Sequence, residues 1–457
     1  MLFLPSGLQD TGRSKANESE RGRKKGEKVR KVIRRPDHTP VITTKLQCPR
    51  FHGPMVEHRT VLERLLSAES TVLLVLAPAG YGKTVLLSQL AQAAPRPVAW
   101  YSLEPHDNEP HTFIRHLAAA LRGFATLDEV QLQRLISKTE ASALSRSAVS
   151  FFVRALTSLP EGPLIILDNW QVISHPDIYQ LLTELIPLLP DHTQLAIGGR
   201  NPLDLIRHLA LERLHLAGRV QVVGRKDLTF SPQELDTFFE AHCSSLAQEA
   251  WQFVVDLSEG WPIMVSCLAQ MENVFEELEN RIPPTLAAYL DREVLQGIPW
   301  DVLEFLVKTS VLSAFTAADC DQLLGSHASR EKIDYLETHQ FFLEKSGDQF
   351  KLVPMIRFHL LSKLGPERYA LYKKAGTIAI GRGNLHQAIS CLLEAGEREA
   401  ITDLMVKFGG EAIVRGRWQD LGEWFDQAIS PEEIHSHPRL SLLKAMVEIR
   451  RGQLTHA

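Results

Sequence analysis

Residues Val72 to Gln89, VLLVLAPAGYGKTVLLSQ, decide the fold of this 457-residue chain. Val72 to Ala77 form an apolar run as long as a buried strand, and Val85 to Ala93 are typical of a helix. Between them, APAGYGKT has the pattern of a phosphate-binding loop, with Ala77 in the first glycine position. A strand, a glycine loop and a helix in this order predict a P-loop NTPase domain of the α/β class with a parallel sheet.

The residues of this loop have predicted roles in holding a nucleotide. Gly80 and Gly82 let the backbone curl so that N–H groups point at phosphate oxygens, and the positive end of the following helix adds to that field. Lys83 is expected to reach the β- and γ-phosphates, and the Thr84 hydroxyl to hold Mg²⁺. The alternative is a glycine-rich turn in a packed α/β domain. The predicted ATP- or ADP-binding residues of the loop are Ala77, Gly80, Tyr81, Gly82, Lys83 and Thr84.

A later strand supplies the other side of the predicted site. Residues 163–169, PLIILDN, form a buried run that ends in an acid, and Asp168 is expected to hold Mg²⁺. Its alternative is a turn residue at a strand end. Asn169 stands where many ATP-hydrolysing proteins carry a second carboxylate, and an amide cannot accept a proton from water near neutral pH. Asp168 and Asn169 are therefore the catalytic candidates, and we expect weak hydrolysis unless another carboxylate such as Glu104 reaches the site.

Five more residues are candidates for nucleotide contacts. Arg200 ends the strand that begins at Gln194 and is expected to touch the γ-phosphate; the alternative is a surface charge. Segments just before a P-loop strand often close over the base of the nucleotide. Separately, the run Gly260-Trp261-Pro262 breaks one helix and starts another, and this break would place Pro262 against the base. The alternative for Val56, His58 and Arg59 is a surface entry loop. These candidates for contact with the base are Val56, His58, Arg59 and Pro262.

Two local signals concern strand ends and helix starts. Asp107 and Asn108 follow the predicted strand 97–103, where open α/β sheets bind ligands, but they are equally typical of helix caps. The run from Ser231 to Glu234, SPQE, has the pattern of a capping box, with serine at the N-cap and glutamate three residues later. It predicts a helix that begins at residue 232.

Composition narrows the class of protein. An apolar fraction of 44% and a charged fraction of 23% are ordinary for a soluble globular protein, and a net charge of −5 argues against wholesale coating of nucleic acid. No apolar run approaches a membrane span. The basic residues 12–35 read as an arm for nucleic acid or an acidic partner, or as a solvated tail. Five cysteines without metal-ligand spacing indicate a reducing cytoplasm and no zinc.

Several stretches in one order carry a family resemblance. They are TKLQCPR, APAGYGKT, VAWYSLEPHDNEP, LIILDN, GGRNP, LTFSPQEL, SEGWP and FLVKTSVLSAFTAADCDQLLG. Over residues 43–457 the chain resembles the N-terminal half of the MalT-like, LuxR-type branch of the STAND signal-transduction ATPases. The resemblance implies an inducer-gated switch in which ADP holds a closed form and ATP with inducer favours a self-associating form.

The resemblance also implies a domain order. We expect a basic tail at 1–42, a P-loop NTPase domain at 43–225, a helical lid at 226–296, a winged helix at 297–365 and a helical solenoid at 366–457. Three helical segments followed by two strands around Gly347-Asp348 agree with the winged helix. That region mixes acids and bases, so we expect it to move in the switch rather than to bind DNA. Val353 stands where the family has a phosphate-sensing histidine.

The last segment alternates helices with glycines and resembles tetratricopeptide-type units, without a strict 34-residue period. Such hairpins bury a face only by stacking on their neighbours. The resemblance implies that a small-molecule inducer or a protein partner binds through this solenoid. The chain stops where another hairpin is expected, and no helix-turn-helix segment follows in the sequence given; we therefore expect no sequence-specific DNA binding by this chain alone.

Three functions remain open from the sequence. The first is a regulatory nucleotide switch, linked to transcription regulation, with slow or absent hydrolysis. The second is a P-loop ATPase that turns over, against which Asn169 argues. The third is an interaction scaffold that retains the fold without the nucleotide. Nucleotide binding separates the third from the others, and turnover separates the first two.

Overall fold

The computed structural model describes residues 40–51, 58–137, 141–200, 202–242, 247–271, 282–339, 341–414 and 416–451. The predicted basic arm at 12–35, the base-contacting candidate Val56 and Cys243 lie outside the described residues. All statements below about the structure refer to the described ranges.

A five-stranded parallel sheet forms the centre of the first part of the chain. It lies in the order β2-β3-β4-β1-β5, and every neighbouring pair is parallel. This order places the carboxyl ends of β3, β4 and β1 side by side. The P-loop follows β1, Asn169 follows β3 and Arg200 follows β4. The strands are β1 (Val72–Leu76), β2 (Val98–Ser102), β3 (Leu164–Asp168), β4 (Gln194–Gly199) and β5 (Val220–Val223).

Apolar side chains cover both faces of this sheet, because successive strand residues point in opposite directions. Leu73 and Val75 lie in one core with Leu87 of the helix after the P-loop. Leu74 lies in a second core with Phe113 on the opposite side. Strands buried on both faces read as continuous apolar runs, which is why β1 and β3 were readable from the sequence.

Helices connect the strands and form the outer layers. The helix after the P-loop begins at Lys83, two residues earlier than predicted. The helices up to the last strand are α1 (Arg59–Leu66), α2 (Lys83–Ala93), α3 (Pro110–Leu121), α4 (Glu129–Ile136), α5 (Ala141–Thr157), α6 (Pro176–Leu185), α7 (Pro202–His208) and α8 (Glu212–Leu216).

A helical segment then folds back over the P-loop. It contains α9 (Arg225–Leu228), α10 (Pro232–His242), α11 (Gln248–Ser258), α12 (Pro262–Leu268) and α13 (Pro284–Tyr289), and it ends in one π-helical turn, Leu290–Val294. The capping box before α10 is confirmed: the Ser231 N–H and Oγ donate to Glu234 Oε2 at 2.8 and 2.7 Å. Helix α12 begins at Pro262, as the Gly-Trp-Pro break predicted.

The winged-helix region has three helices, a hairpin and a fourth helix. Strands β6 and β7 pair antiparallel across the predicted turn at Gly347-Asp348. Its apolar core is continuous with that of the preceding helices, since Phe342 and Leu360 share one cluster with Trp261. The elements are α14 (Trp300–Thr309), α15 (Ala317–Leu324), α16 (Ser329–Thr338), β6 (Leu343–Ser346), β7 (Gln349–Leu352) and α17 (Pro354–Ser362).

Helical hairpins form the last part of the described chain, and they stack around a core that contains Trp424 and Phe425. One helix was not predicted: Ser430 and Glu433 form a second capping box and start α22. None of the described helices is long and apolar enough to cross a membrane. The helices are α18 (Arg368–Gly381), α19 (Leu385–Ala395), α20 (Arg398–Val414), α21 (Trp418–Ala428), α22 (Pro431–Ser436) and α23 (Pro438–Arg451).

Candidate functional site

The P-loop lies between β1 and α2 and is covered by the helical lid. Gly80 has φ +76°, a left-handed conformation that favours glycine. A β-carbon at Gly80 would contact Ile263 and come within 2.8 Å of both Trp261 Nε1 and Tyr289 Oη. The Ile263 N–H donates to Gly80 O at 3.1 Å, so the lid binds the loop backbone directly. Glycine is therefore required here by conformation and by space.

Lys83 is buried inside this loop. Its ammonium donates to Pro78 O at 2.8 Å, an acceptor from its own loop. Burial and then the positive charge of Arg200 lower the pKa of Lys83 to about 8, while Asp168 and Glu293 act in the opposite direction. The side chain is thus a cation held without a close anionic partner, and a phosphate group would supply one.

Thr84 and Asp168 meet across α2 and β3. The Thr84 hydroxyl donates to Asp168 Oδ2 at 2.8 Å. Asp168 is 1% exposed, and its Oδ1 atom has no hydrogen-bond partner. Burial raises the pKa of Asp168, against hydrogen bonds from Thr84 and the Asn169 N–H and the charge of Lys83. A buried carboxylate oxygen without a partner beside a hydroxyl fits a hard divalent cation, for which both are preferred ligand types.

Asn169 follows β3 with φ +65°, a conformation that asparagine and aspartate tolerate better than most residues. Its Oδ1 accepts a long hydrogen bond from Gln171, at 3.4 Å. The alternative carboxylate, Glu104, lies 2.9 Å from Lys45 and caps a short 3₁₀ turn. The Glu104 carboxylate is therefore engaged by Lys45 in local structure.

Arg200 lies after β4, between the strand ends that carry the P-loop and Asp168. Its Nη1 and Nη2 atoms donate to Glu293 O and Glu293 Oε2, both at 3.1 Å. Its Nε atom is buried without a hydrogen-bond partner. Because its charge acts on the pKa of Lys83, Arg200 belongs to the same charge cluster.

Tyr81 links the loop to the lid and the winged helix. It is 1% exposed, and its ring lies 6.0 Å from Trp261 and 6.1 Å from Phe342 in stacked orientations. Arg225 Nε donates to the Tyr81 hydroxyl at 2.8 Å, and Arg225 Nη2 approaches Glu344 of β6 at 3.3 Å. The fifth residue of the phosphate loop is therefore an interdomain contact as well as a loop residue.

The predicted base-contacting residues are not all brought together. His58 is buried, and its Nδ1 atom lies 2.8 Å from Glu234 Oε1. Pro262 is buried at the start of α12, near the phosphate loop. The Arg59 side chain is 81% exposed and pairs with Glu63 on the same helix. Val56 lies outside the described residues.

Asp107 and Asn108 have local structural partners. Asp107 is fully buried against Lys45 at 3.0 Å, and Asn108 Oδ1 accepts from the Ser174 N–H at 2.8 Å. Neither residue caps α3, because the N-cap is Glu109, whose carboxylate accepts from the His111 and Thr112 N–H groups. Val353 is 1% exposed, and its N–H donates to Phe342 O at 3.1 Å.

Sequence reasoning did not assign four residues that complete the site. Trp261 donates its indole N–H to Ala79 O at 3.1 Å, and Tyr289 lies over Gly80. Glu293 binds Arg200, and Arg225 binds Tyr81. Trp261 stood in the recognised SEGWP stretch, but no local pattern marked the other three as neighbours of the loop.

Comparison with known proteins supports the predicted resemblance. A family model described as the MalT winged helix domain matches residues 291–371. The HTH-type transcriptional regulator MalT of Cronobacter sakazakii is 26% identical over 415 residues, which cover 85% of this chain and 45% of that protein. MalT of Serratia proteamaculans is 24% identical over 422 residues, 89% of this chain and 46% of its own. The chain therefore spans about half the length of these relatives.

Solved structures show the fold. A Walker-type ATPase of Pyrococcus abyssi aligns over 68% of this chain and 99% of its own, with a TM-score of 0.52 and 12% identity. A STAND protein with a tetratricopeptide repeat sensor from Pyrococcus horikoshii aligns over 91% of this chain and 59% of its own, with a TM-score of 0.38 and 18% identity. The predicted class, a P-loop α/β domain followed by a winged helix and helical hairpins, is confirmed.

Proposed function

We propose that this chain, which is MalT-like, binds ATP or ADP with Mg²⁺ and acts as a signal-transduction switch linked to transcription regulation. The observation that carries the proposal is a cluster of complementary groups at three adjacent strand ends: Lys83, Thr84, Asp168 and Arg200. Two buried atoms of this cluster, Asp168 Oδ1 and Arg200 Nε, have no hydrogen-bond partner. Buried polar atoms are normally paired, and a phosphate with its metal would pair both.

The cation set supports a polyphosphate ligand. Lys83 and Arg200 share one site, and the positive charge of Arg200 adds to burial in lowering the pKa of Lys83. Phosphate oxygens would accept from both and from loop N–H groups at the start of α2. The buried position of Lys83 strengthens such contacts because the local dielectric constant is low.

Thr84 and Asp168 would hold Mg²⁺, which at such sites neutralises phosphate charge. The Thr84 hydroxyl and Asp168 Oδ2 are already 2.8 Å apart. Asp168 would present its free Oδ1 atom, directly or through water. Their task in the proposed switch is to orient the metal and the terminal phosphates against Lys83.

Slow or absent hydrolysis is the second part of the proposal. An attacking water needs a group that accepts its proton, and Asn169 cannot do so near neutral pH. Glu104 is held by Lys45. With Asp168 assigned to the metal, the end of β3 offers no second carboxylate.

The signalling part of the proposal extends the family resemblance. The MalT relatives are named as HTH-type transcriptional regulators. We assign an inducer or a protein partner to the solenoid, self-association to the ATP form and the cytoplasm as the location. The domain bounds 43–225, 226–296, 297–365 and 366–457 are part of the same proposal, and the matched range 291–371 overlaps the third.

The winged helix is proposed to be a moving part of the switch rather than a DNA-binding element. Its third helix, α16, carries Arg330 and Lys332, but Arg330 pairs with Asp334 at 2.9 Å and Lys332 approaches Asp301 at 3.5 Å. Phosphate-contacting helices need free cations. This pairing supports weak, salt-sensitive DNA binding at most by the present chain.

Isothermal titration calorimetry with ATP and Mg²⁺ tests the proposed function. Lys83→Ala should weaken affinity tenfold or more, since it removes a charge-assisted phosphate contact. Lys308→Ala, which removes an exposed lysine paired with Glu304 on α14, is the matched control and should leave affinity unchanged. Equal affinity of wild type and Lys83→Ala would remove the P-loop assignment, and no binding by the wild type would favour a scaffold.

A further inference from the structure

We propose that Glu293 determines how strongly this site prefers a triphosphate over a diphosphate. The inference rests on the nucleotide binding proposed above and concerns the regulation of that site. Glu293 lies in the π-helical turn Leu290–Val294, at the end of the lid, and it holds Arg200 through two contacts of 3.1 Å. One contact uses its backbone oxygen and the other its carboxylate.

Arg200 is the cation for which Glu293 and a phosphate would compete. It follows β4, which lies between β1 and β3 in the sheet, so the guanidinium reaches the cluster from the strand between the P-loop and Asp168. A carboxylate and a phosphate both match the guanidinium fork, so the Glu293 carboxylate competes with an incoming phosphate for the Nη2 group that it already holds. Its buried Nε atom has no partner while Glu293 occupies the other two nitrogens.

The number of phosphates decides which competitor wins. A P-loop lysine reaches the β- and γ-phosphates, so a diphosphate is expected to engage Lys83 and the loop while Arg200 stays with Glu293. A third phosphate adds charge on the Arg200 side and draws the guanidinium away from Glu293. The carboxylate of Glu293 therefore opposes the triphosphate form selectively.

The π-helical turn that carries Glu293, and the residue just before it, also contact the phosphate loop and the winged helix. Tyr289, one turn earlier, lies over Gly80 of the phosphate loop. Asp291, two residues earlier, lies 2.8 Å from His359 Nε2 and 2.7 Å from Lys363 Nζ, which belong to α17 of the winged helix and to the residue that ends it. Release of Glu293 by a third phosphate would thus loosen the segment that ties the phosphate loop to the winged helix.

The size of the effect follows from the exposure of the pair. The Arg200 and Glu293 side chains are 38% and 51% exposed. Ion pairs of this kind are weak, so loss of the Glu293 carboxylate is expected to tighten triphosphate binding by about two- to fivefold. Diphosphate affinity should change by less than about twofold, because Arg200 is not recruited in that complex.

Calorimetry on the full chain tests this with ADP and a non-hydrolysable ATP analogue, each with Mg²⁺. Glu293→Gln should raise the ratio of ATP-analogue to ADP affinity by about two- to fivefold. Glu337→Gln is the matched control: it breaks a similarly exposed pair with Lys345, away from the phosphate site, and should leave the ratio unchanged. If Glu293→Gln unfolds, Glu293→Asp should move the ratio in the same direction by less.

A second pair of variants separates competition from a general loosening of the lid. In an Arg200→Gln background, Glu293→Gln should have no effect on the ratio, because the contested cation is gone. An unchanged ratio in Glu293→Gln, an equal gain for both nucleotides, or a gain that persists without Arg200 would overturn the inference. If the wild type binds neither nucleotide, the proposed function fails first, and this inference with it.

Discussion

The phosphate loop and the end of β3 lie at the same edge of the sheet, but they carry different functional side chains. The loop keeps Lys83 and Thr84, its glycines adopt the required conformations, and Tyr81 is enclosed by three separate parts of the chain. The end of β3 keeps Asp168 but has Asn169 where a second acid is expected. On the proposed function, this difference separates two tasks: the loop serves to hold a nucleotide, and the end of β3 lacks the group that would speed its cleavage.

The largest effect is expected on the stability of the fold, from substitution of Tyr81 in the phosphate loop. Its buried ring packs against both Trp261 and Phe342, so Tyr81→Ala is expected to lower the free energy of unfolding by about 3–5 kcal/mol, the usual range for a buried aromatic residue. Tyr81→Phe keeps the ring and loses only the Arg225 hydrogen bond, which should cost about 1–2 kcal/mol. Urea unfolding of both variants measures the difference, and equal losses would mean that the ring does not couple the domains.

The second prediction concerns the rate of ATP hydrolysis and the residue that follows β3, Asn169. Asn169→Asp restores a carboxylate with almost no change in volume, and aspartate tolerates the left-handed φ of +65°. General-base catalysis is typically worth about 10²- to 10⁴-fold, so we expect hydrolysis to rise by at least about tenfold with little change in ATP affinity. Steady-state phosphate release measures this, with Lys83→Ala as the background. An unchanged rate would place the base elsewhere.

The smallest effect concerns pH and the link from the lid to the winged helix. Burial lowers the pKa of His359, whose Nε2 faces Asp291 with Lys363 beside it. Unfolded histidine titrates near about 6.5, so below that pH the unfolded chain binds more protons and the folded state loses stability. Between pH 7.5 and 5.5 the wild type should therefore lose about one or two degrees more in unfolding midpoint than His359→Gln.

The measurement for that prediction is the unfolding midpoint at both pH values, for both proteins. Protonation would also place an N–H at His359 Nδ1, which is buried and has no hydrogen-bond partner. This adds to the expected loss at low pH. Parallel pH dependence in the wild type and the variant would contradict a role for His359.

Local chemistry was readable from the sequence, and distant contacts were not. The P-loop, the strand LIILDN and the SPQE capping box are short patterns whose physics is contained in neighbouring residues, and the structure has all three elements. The same capping pattern at Ser430 to Glu433 starts a helix of six residues, which is too short to show a helical period in the sequence. Fold class was therefore predictable from strong local signals.

The assembled site depends on long-range packing. Arg200 and Glu293 are 93 residues apart, and Tyr81 and Arg225 are 144 apart. Nothing in their local sequence indicates a partner, since exposed acids and arginines are common throughout the chain. Arg59 shows the converse: its position before the P-loop suggested a nucleotide contact, yet its side chain pairs with Glu63 in solvent.

The most direct test of the central claim is the fate of ATP bound to the wild-type chain. Protein loaded with ATP and Mg²⁺ is freed of excess nucleotide, and the bound nucleotide is identified over time by chromatography. The account predicts that the wild type retains nearly one ATP per chain, and that this ATP persists far longer than the roughly 0.1 s turnover time of an average enzyme. The Lys83→Ala variant should retain no ATP. Rapid conversion to ADP and phosphate by the wild type would contradict it and identify a working ATPase.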